Sequence, residues 1–178
     1  MAKKLYLHVP SIDELWYRQQ LLNDLDTMSY NRNYDLDIEG YHKDTGCLDF
    51  PKEDWQAWYQ YFVCGEPMRF YAYIVRSEDE AFIGEVNLHK VQNQDWYEMG
   101  IVLEHKHRGN GYAEEALNLL LKHAFENLNA DAVHNEFEDT RYAAVKTHLF
   151  AGFTQHRDKN GFSRFTITKE QYFSSLDK

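Results

Sequence analysis

The stretch from residue 98 to residue 117 joins the end of an apolar segment to a short basic loop and the start of an alanine- and leucine-rich segment: Glu98-Met-Gly-Ile-Val-Leu-Glu-His-Lys-His-Arg-Gly-Asn-Gly-Tyr-Ala-Glu-Glu-Ala-Leu117. This order predicts a strand, a loop and a helix. Glycines such as Gly109 and Gly111 let the backbone approach a ligand and adopt conformations that side chains disfavour. The first turn of a helix presents unpaired N–H groups and a partial positive charge, which suit phosphate oxygens. The stretch therefore predicts an anion site, to which Arg108 and Lys106 would add charge-assisted contacts.

The two glycines exclude two common phosphate-binding loops and leave one plain alternative open. A P-loop needs Gly-x-x-x-x-Gly-Lys-Ser/Thr and the dinucleotide fingerprint needs a third glycine, and this loop has neither pattern. Taken alone, Gly-x-Gly is equally compatible with an ordinary turn in front of an ordinary helix. The anion site is therefore a hypothesis that depends on the rest of the chain.

Strand and helix patterns continue on both sides of this stretch. Apolar residues at strand spacing predict strands at 3–9, 70–75, 81–91, 96–103, 132–138, 153–157 and 162–168. Apolar residues at helical spacing predict helices at 12–25, from residue 51, at 111–128, at 140–151 and from residue 169. This order predicts an α+β fold with about seven strands and flanking helices.

Three local features of these segments are specific. The first helix has an expected buried stripe at Ile12, Leu15, Trp16, Gln19 and Leu22. Asn160-Gly161, between the last two strands, suits a type I′ turn. Residues 27–50 are polar and tyrosine-rich, without a clear period, and loops of this length in compact domains are often functional.

Composition and charge narrow the classes of partner. The length of 178 residues predicts one domain over residues 1–178, and 19 basic against 29 acidic side chains give a formal charge of -10. Nucleic acid and anionic membrane surfaces are not expected as partners, because both need a basic face on the protein. The first residues lack the apolar run of a secretion signal, and no stretch approaches about 18 apolar residues. Two cysteines suit neither a disulfide framework nor a common zinc pattern, so a cytoplasmic protein is expected. A homodimer stays open as its assembly.

The glycine loop and two further segments resemble the GNAT family of N-acetyltransferases. Arg108-x-x-Gly111-x-Ala113 matches the Arg/Gln-x-x-Gly-x-Gly/Ala signature of that family. Residues 98–103 resemble its fourth strand, and residues 143–153 resemble the helix ending in Gly-Phe that follows its fifth strand. The resemblance implies a mixed, mostly antiparallel central sheet of about seven strands flanked by helices. It implies a cleft for acetyl-CoA where strands four and five of that sheet splay apart. It also implies direct transfer of the acetyl group to an amine.

The resemblance further implies which residues hold acetyl-CoA. The pyrophosphate would lie beside Arg108 and bind the backbone N–H groups of Gly109, Asn110, Gly111, Tyr112 and Ala113. The pantetheine arm would pair, like an additional strand, with the backbone groups of Ile101, Val102 and Leu103. A main-chain N–H would polarise the acetyl carbonyl. Many relatives have an asparagine at the position of Arg141 that touches the pantetheine arm, so Arg141 either reaches a CoA phosphate or is solvated.

Two side chains are candidates for proton transfer. Glu98 stands where the family often has a carboxylate that accepts the amine proton, and its alternative role is that of a structural or solvent-facing carboxylate. His148 stands where the family commonly has a tyrosine that acts as a general acid near the CoA sulfur, and an imidazole can donate a proton near neutral pH. The alternative for His148 is a packed, hydrogen-bonded core histidine. Asn135, on the fifth strand, either faces the cleft or pairs with backbone.

The loop before the glycines contains two histidines that could bind a metal. His105 and His107 lack a third ligand nearby in sequence, so no metal is expected.

The acceptor amine is expected near the N-terminal loop. In this fold the first two helices and their connection usually form the acceptor side. The carboxylates and tyrosines there are Tyr30, Tyr34, Asp35, Asp37, Glu39 and Tyr41. Such a set suits a cationic amine, for example a polyamine, an aminoglycoside or a protein N-terminus. A solvated polar loop is the alternative.

Two other functions stay open beside that of an N-acetyltransferase. A non-catalytic acyl-CoA-binding sensor would keep the phosphate cradle and lack the acid, and the histidine in place of a tyrosine at position 148 motivates it. An interaction module on the same fold is motivated by the aromatic N-terminal half.

Overall fold

The computed structural model describes residues 4–176, which form a seven-stranded sheet flanked by helices. The strands are β1 (Leu5–His8), β2 (Arg69–Arg76), β3 (Ala81–Lys90), β4 (Trp96–Leu103), β5 (Ala132–Glu138), β6 (Thr154–Arg157) and β7 (Phe162–Thr168). Their spatial order is β1-β2-β3-β4-β5-β7-β6, and only β4 and β5 pair in parallel. The predicted mixed, mostly antiparallel sheet is thereby confirmed. Lys3, the predicted start of the first strand, lies outside the described residues.

Helices cover both faces of the sheet. They are α1 (Leu15–Asn23), α2 (Trp55–Phe62), α3 (Tyr112–Lys122, continued by a π-helical turn over His123–Asn127), α4 (Tyr142–Phe150) and α5 (Lys169–Leu176). The apolar stripe of α3 packs into the main core with Leu117 and Leu120 fully buried, as its helical spacing predicts. On the opposite face, Tyr17 and Leu21 of α1 pack against Tyr71 of β2.

β4 and β5 separate after three paired residues. Trp96–Glu98 pair with Ala132–His134, while β4 continues to Leu103 and β5 pairs with β7 along its whole length. Beyond Glu98, the edge of β4 that faces β5 has no strand partner among residues 4–176. The expected splay between strands four and five is therefore present, and it leaves backbone groups of β4 open to a ligand.

The predicted buried stripe of α1 is wrong in part. Trp16 is 49% exposed, whereas Tyr17 and Leu21 are buried. The reason is that α1 packs on two surfaces at once: Leu15 and Leu22 join a cluster with residues 28–55, and Tyr17 and Leu21 face the sheet. A single stripe describes only a helix that packs on one surface.

The connection between β6 and β7 differs from the predicted type I′ turn. That turn needs a positive φ at both central residues, and here Gly161 alone has one, at +83°. The carboxylate Oδ1 of Asp158 accepts hydrogen bonds from the backbone N–H groups of Asn160 and Phe162 at 2.8 and 2.9 Å. The aspartate therefore supports a longer loop that ends in a left-handed glycine.

Candidate active site

A cleft of about 720 Å³ lies where β4 and β5 separate. Its walls are the end of β4, the loop before α3, the first turns of α3, and α4. Every predicted cofactor residue except Asn110 lines it, and so does His148, whereas Glu98 does not. Three basic side chains, Arg108, Arg141 and Lys146, line the cleft against one acidic side chain, Glu114. In a chain of charge -10, this local excess of positive charge favours an anionic ligand.

The loop before α3 has the backbone shape of a phosphate cradle. Gly109 and Gly111 have φ angles of +81° and +79°, and a Cβ atom added to either would meet nothing within 4 Å. Gly111 is the N-cap of α3 and offers no side chain to the first N–H groups of the helix. Asn110 points back into the loop, where its Nδ2 donates to the carbonyls of His107 and Arg108 at 3.1 and 3.2 Å. Open space in front of free N–H groups fits a pyrophosphate.

Arg108 links this loop by hydrogen bonds to the end of β4 and to the segment after α1. Its Nε donates to the carbonyl of Leu103 at 3.1 Å, and its Nη2 donates to the carbonyl of Thr27 at 2.7 Å. Nη1 takes part in neither bond and the side chain is exposed, so one edge of the guanidinium stays available to an anion. Lys106 is different, because its Nζ lies 2.6 Å from the Glu104 carboxylate and outside the cleft. The basic loop therefore contributes Arg108 to the cleft, whereas Lys106 forms an ion pair within the loop.

Arg141 connects the two sides of the cleft entrance. Its Nε lies 2.6 Å from the Glu138 carboxylate at the end of β5, and its Nη2 donates to the Tyr34 hydroxyl at 3.0 Å. The guanidinium carbon is 5.2 Å from the centre of the Tyr30 ring, and Tyr30 also lines the cleft. We call this set of Tyr30, Tyr34, Glu138 and Arg141 the entrance clamp. It ties the loop after α1 to the start of α4.

His148 lies in the cleft wall with both ring nitrogens hydrogen-bonded. The backbone N–H of Glu136 donates to Asn135 Oδ1 at 2.9 Å, which makes Asn135 Nδ2 the group that faces His148 Nε2 at 3.1 Å. Nε2 therefore accepts a hydrogen bond, and the proton is on Nδ1, which donates to the Ala144 carbonyl at 2.8 Å. Burial lowers the pKa of His148 below its usual 6.5. The ring is thus neutral at pH 7. It packs against Phe137, with the two ring centres 5.0 Å apart.

Glu98 lies at the last paired position of β4 and β5. It is the Cα partner of His134, whose Nε2 is 3.3 Å from Glu98 Oε1. Side chains alternate along a strand, so Glu98 shares a face with Val102, which packs against the apolar cluster that contains Tyr17 of α1. Glu98 therefore faces the α1 side of the sheet at the apex of the opening between the strands, beyond the cleft lining itself.

An ion pair that the sequence patterns did not reveal lies on the α1 side, close to the cleft. Arg18 Nη1 is 2.5 Å from Glu85 Oε1, and the hydroxyl of Tyr71 donates to the second oxygen of Glu85. The guanidinium carbon of Arg18 is 4.4 Å from the centre of a Trp58 ring. Glu85 is the Cα partner of Val102, a cleft residue, so this network fixes α1 and α2 against the sheet there. The one sequence signal is Glu85 itself, a carboxylate within the apolar run from Ala81 to Val86 of β3.

The predicted acceptor residues divide into two groups. The tyrosines point inward: Tyr30 and Tyr34 belong to the entrance clamp, and the Tyr41 hydroxyl donates to the Asn31 carbonyl at 2.5 Å. The carboxylates point outward: Asp35 is 90% exposed and pairs with Lys43, and Asp37 and Glu39 are exposed too. The loop therefore presents exposed carboxylates outside the cleft entrance, and its tyrosines pack beneath them.

Neither a metal cluster nor a membrane span is present in residues 4–176. Histidine, cysteine and carboxylate side chains do not gather there in groups of three or more that would hold a metal ion. None of the helices in this range combines the length and the apolar character needed to cross a bilayer.

Comparison with known proteins places this geometry in a family. Residues 13–169 match the acetyltransferase (GNAT) domain family. No curated protein matches the chain by sequence. The solved structures similar to this one include spermidine N-acetyltransferase from Vibrio cholerae in complex with CoA and spermine, with a TM-score of 0.74, 18% identity, and coverage of 96% of this chain and 98% of that chain.

A GNAT-family acetyltransferase from Bacillus anthracis is also similar, with a TM-score of 0.71, 16% identity, and coverage of 96% of this chain and 98% of that chain. At these identities both likenesses show that the fold is shared.

Proposed function

The chain belongs to the GNAT family of acetyltransferases, which use acyl-CoA, and we propose that it transfers the acetyl group of acetyl-CoA to a cationic amine. The observation that carries the proposal is the opening between β4 and β5, which places an unpaired strand edge beside a glycine cradle. Acetyl-CoA supplies an acetyl group already activated as a thioester, so the N–C bond forms as the C–S bond breaks, and the CoA thiolate leaves. The chain supplies binding, orientation and proton acceptance.

The cofactor residues bind through two kinds of group. Backbone N–H groups of Gly109–Ala113 hold the pyrophosphate, with Arg108 beside them. The free edge of Ile101–Leu103 pairs with the extended pantetheine arm, as a neighbouring strand would. A ligand held at both places runs from the C-terminal end of β4 back towards Glu98. Its reactive end is therefore held near the apex of the opening, in one orientation.

Glu98 is the residue that we assign to the amine proton. Its side chain is 65% exposed, lies at the apex, and faces the α1 side of the sheet, where the acceptor loop packs on α1. An amine must lose a proton to form a neutral amide, and a carboxylate within reach, directly or through one water, accepts it. The observed exposure leaves room for an amine or a water beside it.

His148 receives a positioning role in this proposal. A neutral ring whose Nε2 accepts a hydrogen bond from Asn135 has no proton to give at that nitrogen. The ring instead fills the space between α4 and β5 and lines one wall of the cleft. The thiolate of CoA that leaves therefore takes its proton from solvent at the cleft, without a dedicated side chain.

The acceptor that we favour is a small polyamine. Asp35, Asp37 and Glu39 place negative charge near the entrance clamp, outside the cleft that Tyr30 lines, an arrangement that attracts an extended cation. The similar enzyme from Vibrio cholerae was crystallised with spermine, which supports the same acceptor class.

The compartment that we propose is the cytoplasm. The two cysteines, Cys47 and Cys64, are free thiols, and free thiols are usual in that reducing compartment.

Amine-dependent release of CoA thiol tests the proposal. The wild-type protein would be mixed with acetyl-CoA and one of spermidine, spermine, an aminoglycoside or a peptide with a free N-terminus, with an amine-free sample as the blank. We expect release above the blank, highest with a polyamine. Binding of CoA without release for any amine would favour the acyl-CoA sensor, and absence of CoA binding by calorimetry would reject the proposed function.

A further inference from the structure

We propose that His134 is a positioning residue that holds Glu98, so that the two act as a pair at the apex of the opening. The proposal rests on the function proposed above, because it takes Glu98 as the group that accepts the amine proton. His134 carries no sequence motif, and only the parallel register of β4 and β5 brings it to Glu98.

The two side chains meet at the point where the strands stop pairing. Glu98 and His134 are the last Cα partners of β4 and β5, and Glu98 Oε1 lies 3.3 Å from His134 Nε2. Their surroundings differ, since the Glu98 side chain is 65% exposed and the His134 side chain only 12%. One member of the pair is thus held in the protein, and the other reaches into the open space where an amine would approach.

The environment of the imidazole determines where its proton lies. His134 Nδ1 is shielded from solvent and has no hydrogen-bond partner among the residues that the structure describes. An N–H there would be a buried donor without an acceptor, which is costly, whereas an unpaired lone pair is cheaper. The Trp96 ring meets the imidazole at 70°, with ring centres 6.1 Å apart, and covers it. The proton is therefore on Nε2, and that nitrogen donates to Glu98.

This hydrogen bond leaves one carboxylate oxygen of Glu98 for chemistry. Oε1 is held by His134, so Oε2 is the atom that takes the proton from the amine as the N–C bond forms. An exposed glutamate without such a partner samples several rotamers. Holding it in one rotamer raises the fraction of encounters in which the proton acceptor is in place. The expected consequence is an effect on turnover rather than on cofactor binding.

Two substitutions of His134 separate positioning from packing. His134→Gln keeps an N–H donor near the position of Nε2, and His134→Leu keeps bulk without a donor. We expect His134→Leu to lower kcat at least tenfold with the KM for acetyl-CoA within twofold of wild type, and His134→Gln to recover to within threefold. His156→Gln, at an exposed position of β6, is the matched control and should be unchanged. Unchanged kcat in folded His134→Leu, or equal losses in both variants, would overturn the proposal.

Nitrogen NMR of the imidazole gives a readout that needs no turnover. In wild-type protein the ¹⁵N shifts of His134 should report a proton on Nε2, the nitrogen that faces Glu98, and Glu98→Gln should shift Nε2 more than Nδ1. A ring protonated on Nδ1, or no response to Glu98→Gln, would overturn the pairing. If wild-type protein releases no thiol with any amine, the proposed function fails, and the NMR result still decides whether the pair exists.

Discussion

The side-chain amide of Asn135 donates to Nε2 of His148 at 3.1 Å, and this contact leaves the histidine proton on the opposite nitrogen. The chain of contacts begins at the backbone N–H of Glu136, which orients the Asn135 amide. A side chain at the usual position of a general acid is thereby turned into a hydrogen-bond acceptor. Its effects should appear in folding more than in turnover.

His148→Phe is expected to keep most of the activity and lose stability. Phenylalanine fits among Phe137, Phe153 and Phe165, but it leaves the Asn135 amide without its acceptor, at a cost of about 1–3 kcal/mol. We expect kcat within about threefold of wild type and a lower urea midpoint. A loss of about a hundredfold or more in kcat, the usual scale of a missing general acid, would return His148 to that role.

The lowered pKa of His148 makes the free energy of unfolding depend on pH. The unfolded chain has the usual pKa of 6.5 and the folded chain a lower one because of burial, so the unfolded state binds more protons between the two values. This contribution to stability is full above about pH 6.5 and is lost as the pH falls. Burial also lowers the pKa of three other histidines, namely His89, His107 and His123.

Urea unfolding at about pH 7.5 and about pH 5.5 measures this dependence. Wild-type protein should be less stable at the lower pH, and His148→Phe should show a smaller difference between the two. An equal difference in the two proteins would mean that His148 is not buried in its neutral form.

Gly111→Asp should abolish the phosphate cradle. The substitution puts a side chain and a negative charge into open space in front of the first N–H groups of α3, at a φ of +79° that also strains the backbone. Gly161→Asp is the matched control, because Gly161 has a φ of +83°, open space around its Cβ position, and a place in the β6–β7 loop. We expect the Kd for CoA, by calorimetry, to rise by at least about tenfold, or about 1.4 kcal/mol, in Gly111→Asp alone. Equal affinity in both variants would contradict the cradle.

Arg141→Gln should loosen the entrance clamp. It removes the ion pair with Glu138 and weakens the contacts with Tyr30 and Tyr34, at an expected cost of about 1–2 kcal/mol in stability. Amide exchange measured by mass spectrometry should become faster over residues 28–34, and CoA should bind several-fold more weakly. Arg157→Gln, at a side chain that is 71% exposed, should change neither quantity. Unaltered exchange over residues 28–34 in Arg141→Gln would mean that the clamp does not hold the loop.

Glu98→Gln should lower turnover and leave cofactor binding intact. The amide has the shape of the carboxylate without its ability to accept the amine proton, so kcat should fall by about 10²–10⁴ with an unchanged Kd for CoA. Glu136→Gln, which changes an exposed carboxylate of β5, serves as the control. If rapid-quench single turnovers of Glu98→Gln are as fast as those of wild type, the proton goes elsewhere.

Local patterns were enough to predict the strands and the glycine loop in front of α3. The glycines at 109 and 111 sit between a strand and a helix that both follow clear periods, and each of these signals lies within a few residues of the next. The mixed, mostly antiparallel pairing is what the family resemblance implies, and five of the six neighbouring pairs are antiparallel. What local signals describe well is a contact that forms within one element or between successive ones.

Contacts between distant segments could not be predicted in this way. Arg18 meets Glu85 across 67 residues and His134 meets Glu98 across 36, and neither pair has a spacing that periodicity would reveal. The exposed Trp16 has the same origin, since the second surface on which α1 packs comes from residues 28–55. Tertiary packing decides such positions.

A crystal structure of the protein with CoA tests the central proposal most directly, because it locates the pyrophosphate and the thiol together. We predict pyrophosphate oxygens within hydrogen-bonding distance of backbone N–H groups of Gly109–Ala113, a pantetheine arm paired with Ile101–Leu103, and a thiol at the apex beside Glu98. CoA bound away from the opening between β4 and β5, or with its thiol turned away from Glu98, would contradict it.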